Sequence, residues 1–151
     1  MEVVSNNFNQ NEIIPTKYTC DGENISPGLK FLRVSDRAKT FALIVDDPDA
    51  PGGTFVHWVV YNMPAHKFEI EENFPKEEKL TDGTLQGKND FGKIGYGGPC
   101  PPSGHPHRYR FKAYGVDKYL DLQAGATKAE LKSAMQGSIV DEAELIGMYK
   151  R

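Results

Sequence analysis

Apolar residues occur along this chain in short, dense runs that are separated by turns rich in proline and glycine. Two of these runs, residues 41–45 and 56–61, consist of β-branched, aliphatic and aromatic side chains, interrupted only by His57 in the second. Short runs of this composition, bounded by turn residues, are typical of strands in the interior of a sheet. We therefore predict two central strands.

A third strand is predicted at residues 107–114, where the residue character alternates. His107, Tyr109, Phe111 and Ala113 share one face of this segment, and Arg108, Arg110 and Lys112 share the other. Alternation with period two places successive side chains on opposite faces of a sheet. The face that carries the three basic residues is therefore expected to be more exposed to solvent than the other. Residues 143–149 predict a last strand near the end of the chain, although their Glu and Ala also tolerate a helix.

One helix is predicted late in the chain. Thr127 and Glu130 form the pattern of a capping box, Leu131 and Met135 follow at a spacing of four, and Gly137 is placed to end the helix. Residues 68–80, with five glutamates and two lysines, predict a solvated connection, and residues 92–106, with five glycines and four prolines, predict a shaped loop. Together these elements predict a mainly β fold, an antiparallel β-sandwich of two sheets with one or two short helices, in a single domain spanning residues 1–151.

Composition narrows the classes of function. The 151 residues include 18 Lys and Arg against 21 Asp and Glu, a formal charge of -3, so the chain has no overall basic field with which to attract nucleic acid. We find no signal-peptide pattern and no run of the ~20 apolar residues that span a bilayer, so a soluble, cytoplasmic protein without stable membrane insertion is expected. In a reducing compartment Cys20 and Cys100 favour free or buried thiols over a disulfide.

Candidate chemistry is concentrated beside the predicted strands. Asp47 and Asp49 flank a proline where the first central strand ends, His57 lies within the second, and His107 and Tyr109 begin the third. A purely structural role is the alternative for these residues. An Asp-Pro turn can simply cap backbone amides, and a histidine in a strand is commonly a core residue whose hydrogen bonds are satisfied. Strand alternation points His57 away from both of its neighbours, towards a second core layer or a site.

Several kinds of chemistry fit these residues poorly. The spacing of His105 and His107 occurs among metal ligands, but no second ligand pair accompanies it, so we predict no metal site. Ser103 lies among prolines and outside a nucleophile elbow, and the glycine-rich stretches match neither a dinucleotide fingerprint nor a Walker loop. No cofactor and no enzyme activity are therefore expected, with a small hydrolase using His57 and His107 as the enzymatic alternative.

Binding of a small anion fits these residues better. Imidazole and phenol groups together with glycine-rich backbone can surround a phosphate or carboxylate, and Asp47 and Asp49 could orient the imidazoles and raise their protonated fraction. The same acids would offer a partner to an ammonium group, so a phosphoethanolamine-like zwitterion is the ligand expected here.

Three ordered motifs resemble the phosphatidylethanolamine-binding protein family, also called the Raf kinase inhibitor protein family, in its bacterial and archaeal branch. They are Cys20-Asp21-Gly22-Glu23-Asn24-Ile25-Ser26-Pro27, Asp47-Pro48-Asp49-Ala50-Pro51 with His57-Trp58-Val59-Val60-Tyr61-Asn62-Met63, and the stretch from Gly98-Pro99 to His107-Arg108-Tyr109. The resemblance covers nearly the whole chain. It implies two antiparallel sheets with an anion pocket at one end.

The resemblance also implies the members of that pocket and the protein's partners. The ligand-binding residues carried over to this sequence are Asp47, Asp49, His57, Gly98, Pro99, Pro101, His107 and Tyr109. A cis peptide before Pro51 is expected from the same resemblance. The implied functions are binding of phosphate or phospholipid head groups, inhibition of a kinase and inhibition of a serine protease, with a homodimer as a plausible assembly. Fold alone does not choose among them.

Overall fold

The computed structural model describes all 151 residues as two antiparallel β-sheets with one α-helix. The elements are β1 (Glu2–Val4), a 3-10 turn (Thr16–Tyr18), β2 (Leu29–Leu32), β3 (Thr40–Asp47), β4 (Phe55–Pro64), β5 (Glu69–Ile70), β6 (Leu85–Gln86), β7 (His107–Val116), α1 (Lys128–Met135) and β8 (Ile139–Tyr149). The smaller sheet has three strands in the order β1-β2-β5, and the larger has five in the order β6-β4-β3-β7-β8.

The central strands of the larger sheet are buried on both faces, which explains their nearly continuous apolar sequences. Along β3, Phe41, Leu43 and Val45 pack into the core shared with the smaller sheet. The intervening Ala42 and Ile44 pack on the opposite face, in the core that includes α1. The predicted sandwich is therefore confirmed, with a second apolar layer beneath the helix.

Helix α1 begins and ends where the sequence predicts. The Thr127 side chain accepts a hydrogen bond from the Glu130 amide, and the Glu130 carboxylate accepts one from the Thr127 amide, so the capping box is complete. Leu131 and Met135 are buried against the sheet. Gly137 follows the helix with a φ of 81°, a conformation that glycine adopts without the steric cost of a side chain.

A buried acidic group connects the helix to the sheet. Asp46, fully buried on β3, accepts hydrogen bonds from Arg110 Nε at 2.8 Å and from Lys128 Nζ at 2.7 Å. Burial by itself would raise the pKa of Asp46, but the two cations outweigh this effect and hold it below its ordinary value. The neighbouring Asp47, which points to the other face, lies in a different environment.

The two cysteines form a disulfide, so the expectation of free thiols was wrong. Cys20 and Cys100 are 80 positions apart in sequence, yet their Cα atoms are 5.4 Å apart. The cause is the docking of two loops. The Cys20 amide donates to the Pro99 carbonyl, and the Tyr96 hydroxyl donates to the Tyr18 carbonyl at 2.6 Å. Such long-range docking leaves no trace in local sequence pattern.

Two further findings concern the backbone and the helices. No peptide bond is cis, so the cis bond expected before Pro51 is absent and the turn after β3 is made entirely with trans peptides. None of the helices is long and apolar enough to cross a membrane.

Candidate functional site

An irregularity in strand β4 determines where His57 lies. Val45 of β3 pairs with Trp58, but the next residue, Asp46, pairs with Val56, so His57 is an extra residue in its strand. This is a β-bulge, and it interrupts the alternation of faces. The His57 ring consequently packs edge-on against Tyr109, at a centroid separation of 5.3 Å, within the core layer that also holds Trp58. Regular alternation predicted that His57 faces away from both neighbours, towards a second core layer or a site. His57 does face away from Val56, which packs in the core beneath the helix, but it lies on the same side as Trp58, so that part of the prediction was wrong.

The bulge brings His57 into a cavity of about 160 Å³ at one end of the sandwich. The floor and walls come from the end of β3, the start of β4, the start of β7 and the loop that carries Cys100. The lining residues are Asp47, Ala50, Pro51, Phe55, His57, Phe91, Cys100, Pro101, Pro102, His107 and Tyr109.

Asp47 and His107 form a buried pair at the edge of the cavity. His107 Nδ1 lies 2.6 Å from Asp47 Oδ2, and both side chains are less than one-tenth exposed. A carboxylate oxygen accepts, so Nδ1 carries the hydrogen and Nε2 is the nitrogen left for a ligand. The other carboxylate oxygen, Oδ1, accepts the Asp49 amide at 2.7 Å, which fixes the turn after β3.

Asp49 is held by Arg108 rather than by a histidine. The guanidinium donates from Nε and Nη2 to the two carboxylate oxygens at 3.0 and 2.9 Å, and the Arg108 amide adds a third hydrogen bond. This arrangement lowers the pKa of Asp49 to about 2. Asp49 does not line the cavity, and its contact with Arg108 ties the turn after β3 to the start of β7.

His57 is held by the glycine-rich loop. Its Nδ1 lies 2.6 Å from the Gly97 carbonyl oxygen, and the Gly97 amide donates to the His57 carbonyl at 2.9 Å. A carbonyl can only accept, so Nδ1 carries the hydrogen and Nε2 presents a lone pair when the ring is neutral. Burial lowers the pKa of His57, outweighing the hydrogen bond to Gly97 and the nearby Asp47. The expected rise in its protonated fraction is therefore reversed.

Tyr109 supplies a buried hydroxyl with no hydrogen bond of regular geometry. The residue is 1% exposed and lines the cavity, and the nearest charged group to its oxygen is the Asp47 carboxylate, which lies close enough to interact with it. Burial, the charge of Asp47 and the interaction of that carboxylate with the hydroxyl raise the pKa of Tyr109, so the hydroxyl stays protonated. A buried donor without a regular hydrogen bond is unusual in a folded protein, because an unsatisfied buried polar group costs free energy.

The loop wall depends on close contacts of its backbone. The Gly98 amide donates to Asn24 Oδ1 at 2.8 Å, and a Cβ on Gly98 would lie 2.4 Å from the Tyr18 carbonyl oxygen, so no larger residue fits. Pro99 contributes its carbonyl to the Cys20 amide. Gly98 and Pro99 therefore support the wall from behind, and Pro101 faces the cavity.

Of the eight residues predicted for the site, five line this cavity: Asp47, His57, Pro101, His107 and Tyr109. Asp49, Gly98 and Pro99 do not line it and make the supporting contacts described above. The sequence interpretation missed Phe55 and Phe91. Phe55 lies two positions before His57, at a strand end beside a known motif, and could have been considered. Phe91 comes from a turn that is closed by a single isolated bridge between Lys88 and Ile94, and no local pattern marks it.

The depressed pKa of His57 predicts how stability depends on pH. Below about pH 6.5 the unfolded chain protonates His57 while the folded chain resists protonation, so the free energy of unfolding should fall between pH 7 and 5. One proton can contribute at most about 1.4 kcal/mol per pH unit. Urea unfolding should show a smaller fall for His57→Gln than for the natural protein. The exposed His66→Gln serves as control, and parallel curves for all three proteins would contradict the assignment.

Comparison with known proteins agrees with this architecture. The model of the family described as phosphatidylethanolamine-binding protein matches residues 4–150. A UPF0098 protein of Methanothermobacter thermautotrophicus is 50% identical over 151 residues, covering 100% of this chain and 99% of that one. The chain belongs to the phosphatidylethanolamine-binding protein (PEBP) family.

Solved structures show the same fold. A PEBP homologue from Chlamydia trachomatis superposes with a TM-score of 0.90 at 40% identity, covering 99% of this chain and 97% of its own. Escherichia coli YbcL, described as a member of the mammalian PEBP family, also gives a TM-score of 0.90, at 32% identity and with 99% and 98% of the two chains covered.

No group of three or more His, Cys, Asp and Glu side chains is arranged to hold a metal ion. The cavity instead combines two imidazoles and a phenol with walls of aromatic and proline carbon. This arrangement can accept hydrogen bonds from a small polar group, and donate hydrogen bonds to it, beside apolar walls.

Proposed function

We propose that this protein is a non-enzymatic binding and regulatory protein whose cavity takes phosphate-type anions. The observation that carries the proposal is the buried Tyr109 hydroxyl, which has no hydrogen-bond partner of regular geometry and lies in the cavity lined by His57 and His107. A ligand oxygen would satisfy this donor. The lining contains no serine, threonine or lysine, and Cys100 is bonded to Cys20, so no nucleophile of those four types is free there.

The donor and acceptor pattern favours a partly protonated phosphate. Tyr109 can donate to a ligand oxygen, and His107 can do so from Nε2 when its ring is protonated. Neutral His57 presents a lone pair at Nε2, which would repel an anionic oxygen but accept a hydrogen bond from a P–OH group. A monoprotonated phosphate or phosphate monoester offers both kinds of oxygen, which supports phosphate over a carboxylate.

The wider functions implied by the resemblance remain predictions. They comprise phosphoethanolamine-like or phospholipid head-group binding, a kinase or protease partner, a homodimer and a cytoplasmic location. For the head group, the phosphate half has the donors described above, whereas each oxygen of Asp47 and of Asp49 already accepts a hydrogen bond within the protein. An ammonium would have to share them.

Replacement of Tyr109 by phenylalanine tests the pocket. Loss of one hydrogen bond should weaken binding of inorganic phosphate about 10-fold, measured by isothermal titration calorimetry. Because the hydroxyl makes no hydrogen bond of regular geometry in the free protein, its removal should leave the free energy of unfolding unchanged or slightly higher. Phosphate affinity equal to that of the natural protein, or no phosphate binding by the natural protein, would refute the proposal.

A second candidate, inhibition of a serine protease through an exposed loop, is favoured by one observation. Residues 102–106 are exposed, and this loop is anchored just before its start by the Cys20–Cys100 disulfide and at its middle by a hydrogen bond from the Gly104 amide to the Arg151 carbonyl. A rigid exposed loop can occupy a protease cleft with little loss of entropy. Titration against chymotrypsin-like and elastase-like proteases should give tight inhibition that persists in His107→Ala. No inhibition across that panel would exclude this function.

A further inference from the structure

A second cavity borders the disulfide between Cys20 and Cys100. It has a volume of about 150 Å³, and both cysteines line it. Cys100 also lines the cavity at the end of the sandwich, so this one residue is shared by the two cavities. The binding site proposed above uses the first cavity alone. The second cavity is therefore a separate approach to the disulfide.

The two cysteines differ in exposure. Cys100 is exposed, whereas Cys20 is half-buried. A disulfide opens when a thiolate attacks one of its sulfur atoms, and the rate depends on access to that atom and on the thiol that leaves. The more accessible residue here is Cys100, and Cys20 leaves when Cys100 is attacked.

Two lysines give the second cavity a positive charge. Lys76 and Lys93 both line it, the lining contains no carboxylate, and neither ammonium forms an ion pair with an acidic side chain. Lys76 is held in place, because its Nζ donates to the Asn24 carbonyl at 3.4 Å and a Cβ on Gly95 would lie 3.1 Å from its stem. A cavity lined by charge of one sign raises the local concentration of ions of the opposite sign.

The acidic side chain next to the disulfide is already engaged. Asp21 accepts a hydrogen bond from the Tyr149 hydroxyl at 2.5 Å and forms an ion pair with Arg151 Nη2 at 3.1 Å. The other terminal nitrogen of that guanidinium, Nη1, lies 3.8 Å from Cys100 Sγ. The charge of Asp21 is therefore balanced, and the cations of the second cavity determine the charge that an approaching thiol meets.

We propose that small thiols carrying an acidic group open this disulfide at Cys100, which makes Cys100 a site of S-thiolation. The attacking thiolate forms a bond to Cys100 Sγ as the bond between the two cysteine sulfurs breaks, and Cys20 leaves as a thiolate that takes up a proton. One thiol is consumed and one mixed disulfide replaces the original, so the step needs no other oxidant or reductant. The acidic group of the thiol pairs with Lys76 and Lys93 as it approaches. The inference does not depend on the proposed phosphate site.

Mass spectrometry of the natural protein tests the position of attack. The oxidised protein is incubated with 2-mercaptoethanesulfonate, the exchange is stopped with acid, and free thiols are alkylated with a maleimide before digestion. The sulfonate thiol should be found on Cys100 and the alkyl group on Cys20. An adduct mainly on Cys20, or a disulfide that resists the thiol altogether, overturns the inference.

Initial rates with three thiols of similar length test the role of charge without any variant. The probes are 2-mercaptoethanesulfonate, 2-mercaptoethanol and 2-mercaptoethylamine, and each rate is divided by that of the same thiol with bis(2-hydroxyethyl) disulfide, which removes their intrinsic differences. At low salt the sulfonate should react about 10-fold faster than the amine, with the alcohol between them. The preference should fall below about 2-fold in 1 M sodium chloride, where charges are screened within ~3 Å. Equal corrected rates at low salt contradict the proposal.

The combined variant Lys76→Gln with Lys93→Gln should reduce the preference for the sulfonate over the amine to less than about 2-fold and leave the corrected rate of the alcohol within about 2-fold. Lys118→Gln with Lys132→Gln is the matched control, because it removes the same charge from exposed positions outside the cavity and should keep the preference. A preference that survives the first pair of substitutions, or is lost equally in the second, refutes the assignment of these lysines. None of these measurements uses phosphate, so their outcome is separate from that of the proposed function.

Discussion

Replacement of His107 by alanine is expected to weaken phosphate binding roughly 100-fold or more, which in a calorimeter amounts to loss of binding. Two effects add. The ligand loses its contact with the imidazole, and a hydrogen bond to a charged group contributes about 1.5–3 kcal/mol. In addition, Asp47, whose side chain is 4% exposed, loses its partner at 2.6 Å and becomes an uncompensated negative charge beside the anion.

Two controls separate these effects from general damage. His105→Ala removes an exposed histidine two positions away that does not line the cavity, and it should bind phosphate like the natural protein. The double variant Asp47→Asn with His107→Ala removes the unpaired charge. It should recover part of the affinity but remain weaker than the natural protein. Unchanged affinity in His107→Ala, with circular dichroism showing a folded chain, would rule out His107 as a ligand-binding residue.

Removal of the disulfide is expected to have the largest effect on stability. Cys20→Ser combined with Cys100→Ser should lower the free energy of unfolding by about 4 kcal/mol. The cross-link joins residues 80 positions apart, and a chain-entropy estimate for a loop of that length falls in this range. Urea unfolding of the oxidised natural protein and the double variant measures the difference.

A dithiol reductant provides the matched comparison for this experiment. The reduced natural protein should unfold at the same urea concentration as the double variant, because both lack the cross-link. Titration of free thiols before and after reduction establishes that the disulfide had formed. Equal unfolding midpoints for the oxidised natural protein and the variant would show that the cross-link contributes nothing to stability.

Local patterns were sufficient to predict the elements with strong sequence character. The apolar runs of β3 and β4, the alternation of β7 and the capping box at Thr127 each arise from interactions within a few residues, and all four elements are present. The last strand begins at Ile139, earlier than predicted, because its first residues are held by pairing with β7 rather than by their own composition. The strands of the smaller sheet are two to four residues long, too short to show periodicity.

The features that sequence patterns did not predict all depend on distant contacts. The disulfide requires two loops to dock, and Phe91 reaches the cavity because Gly97 leaves space for its ring. The binding of Arg108 to Asp49 depends on the turn after β3 meeting the start of β7. The sequence therefore identified the residue types at the site, and tertiary packing decided which of them face the cavity and which support it.

Because of the β-bulge at His57, the site depends on the number of residues in β4 as well as on their identities. With one residue fewer between Val56 and Trp58, regular pairing with β3 would leave no extra residue to carry an imidazole into the cavity. A relative that keeps the histidine but has a single-residue gap beside it would retain the motif and lose the pocket. Insertions and deletions at this point of β4 are thus more informative about shared function than most substitutions around it.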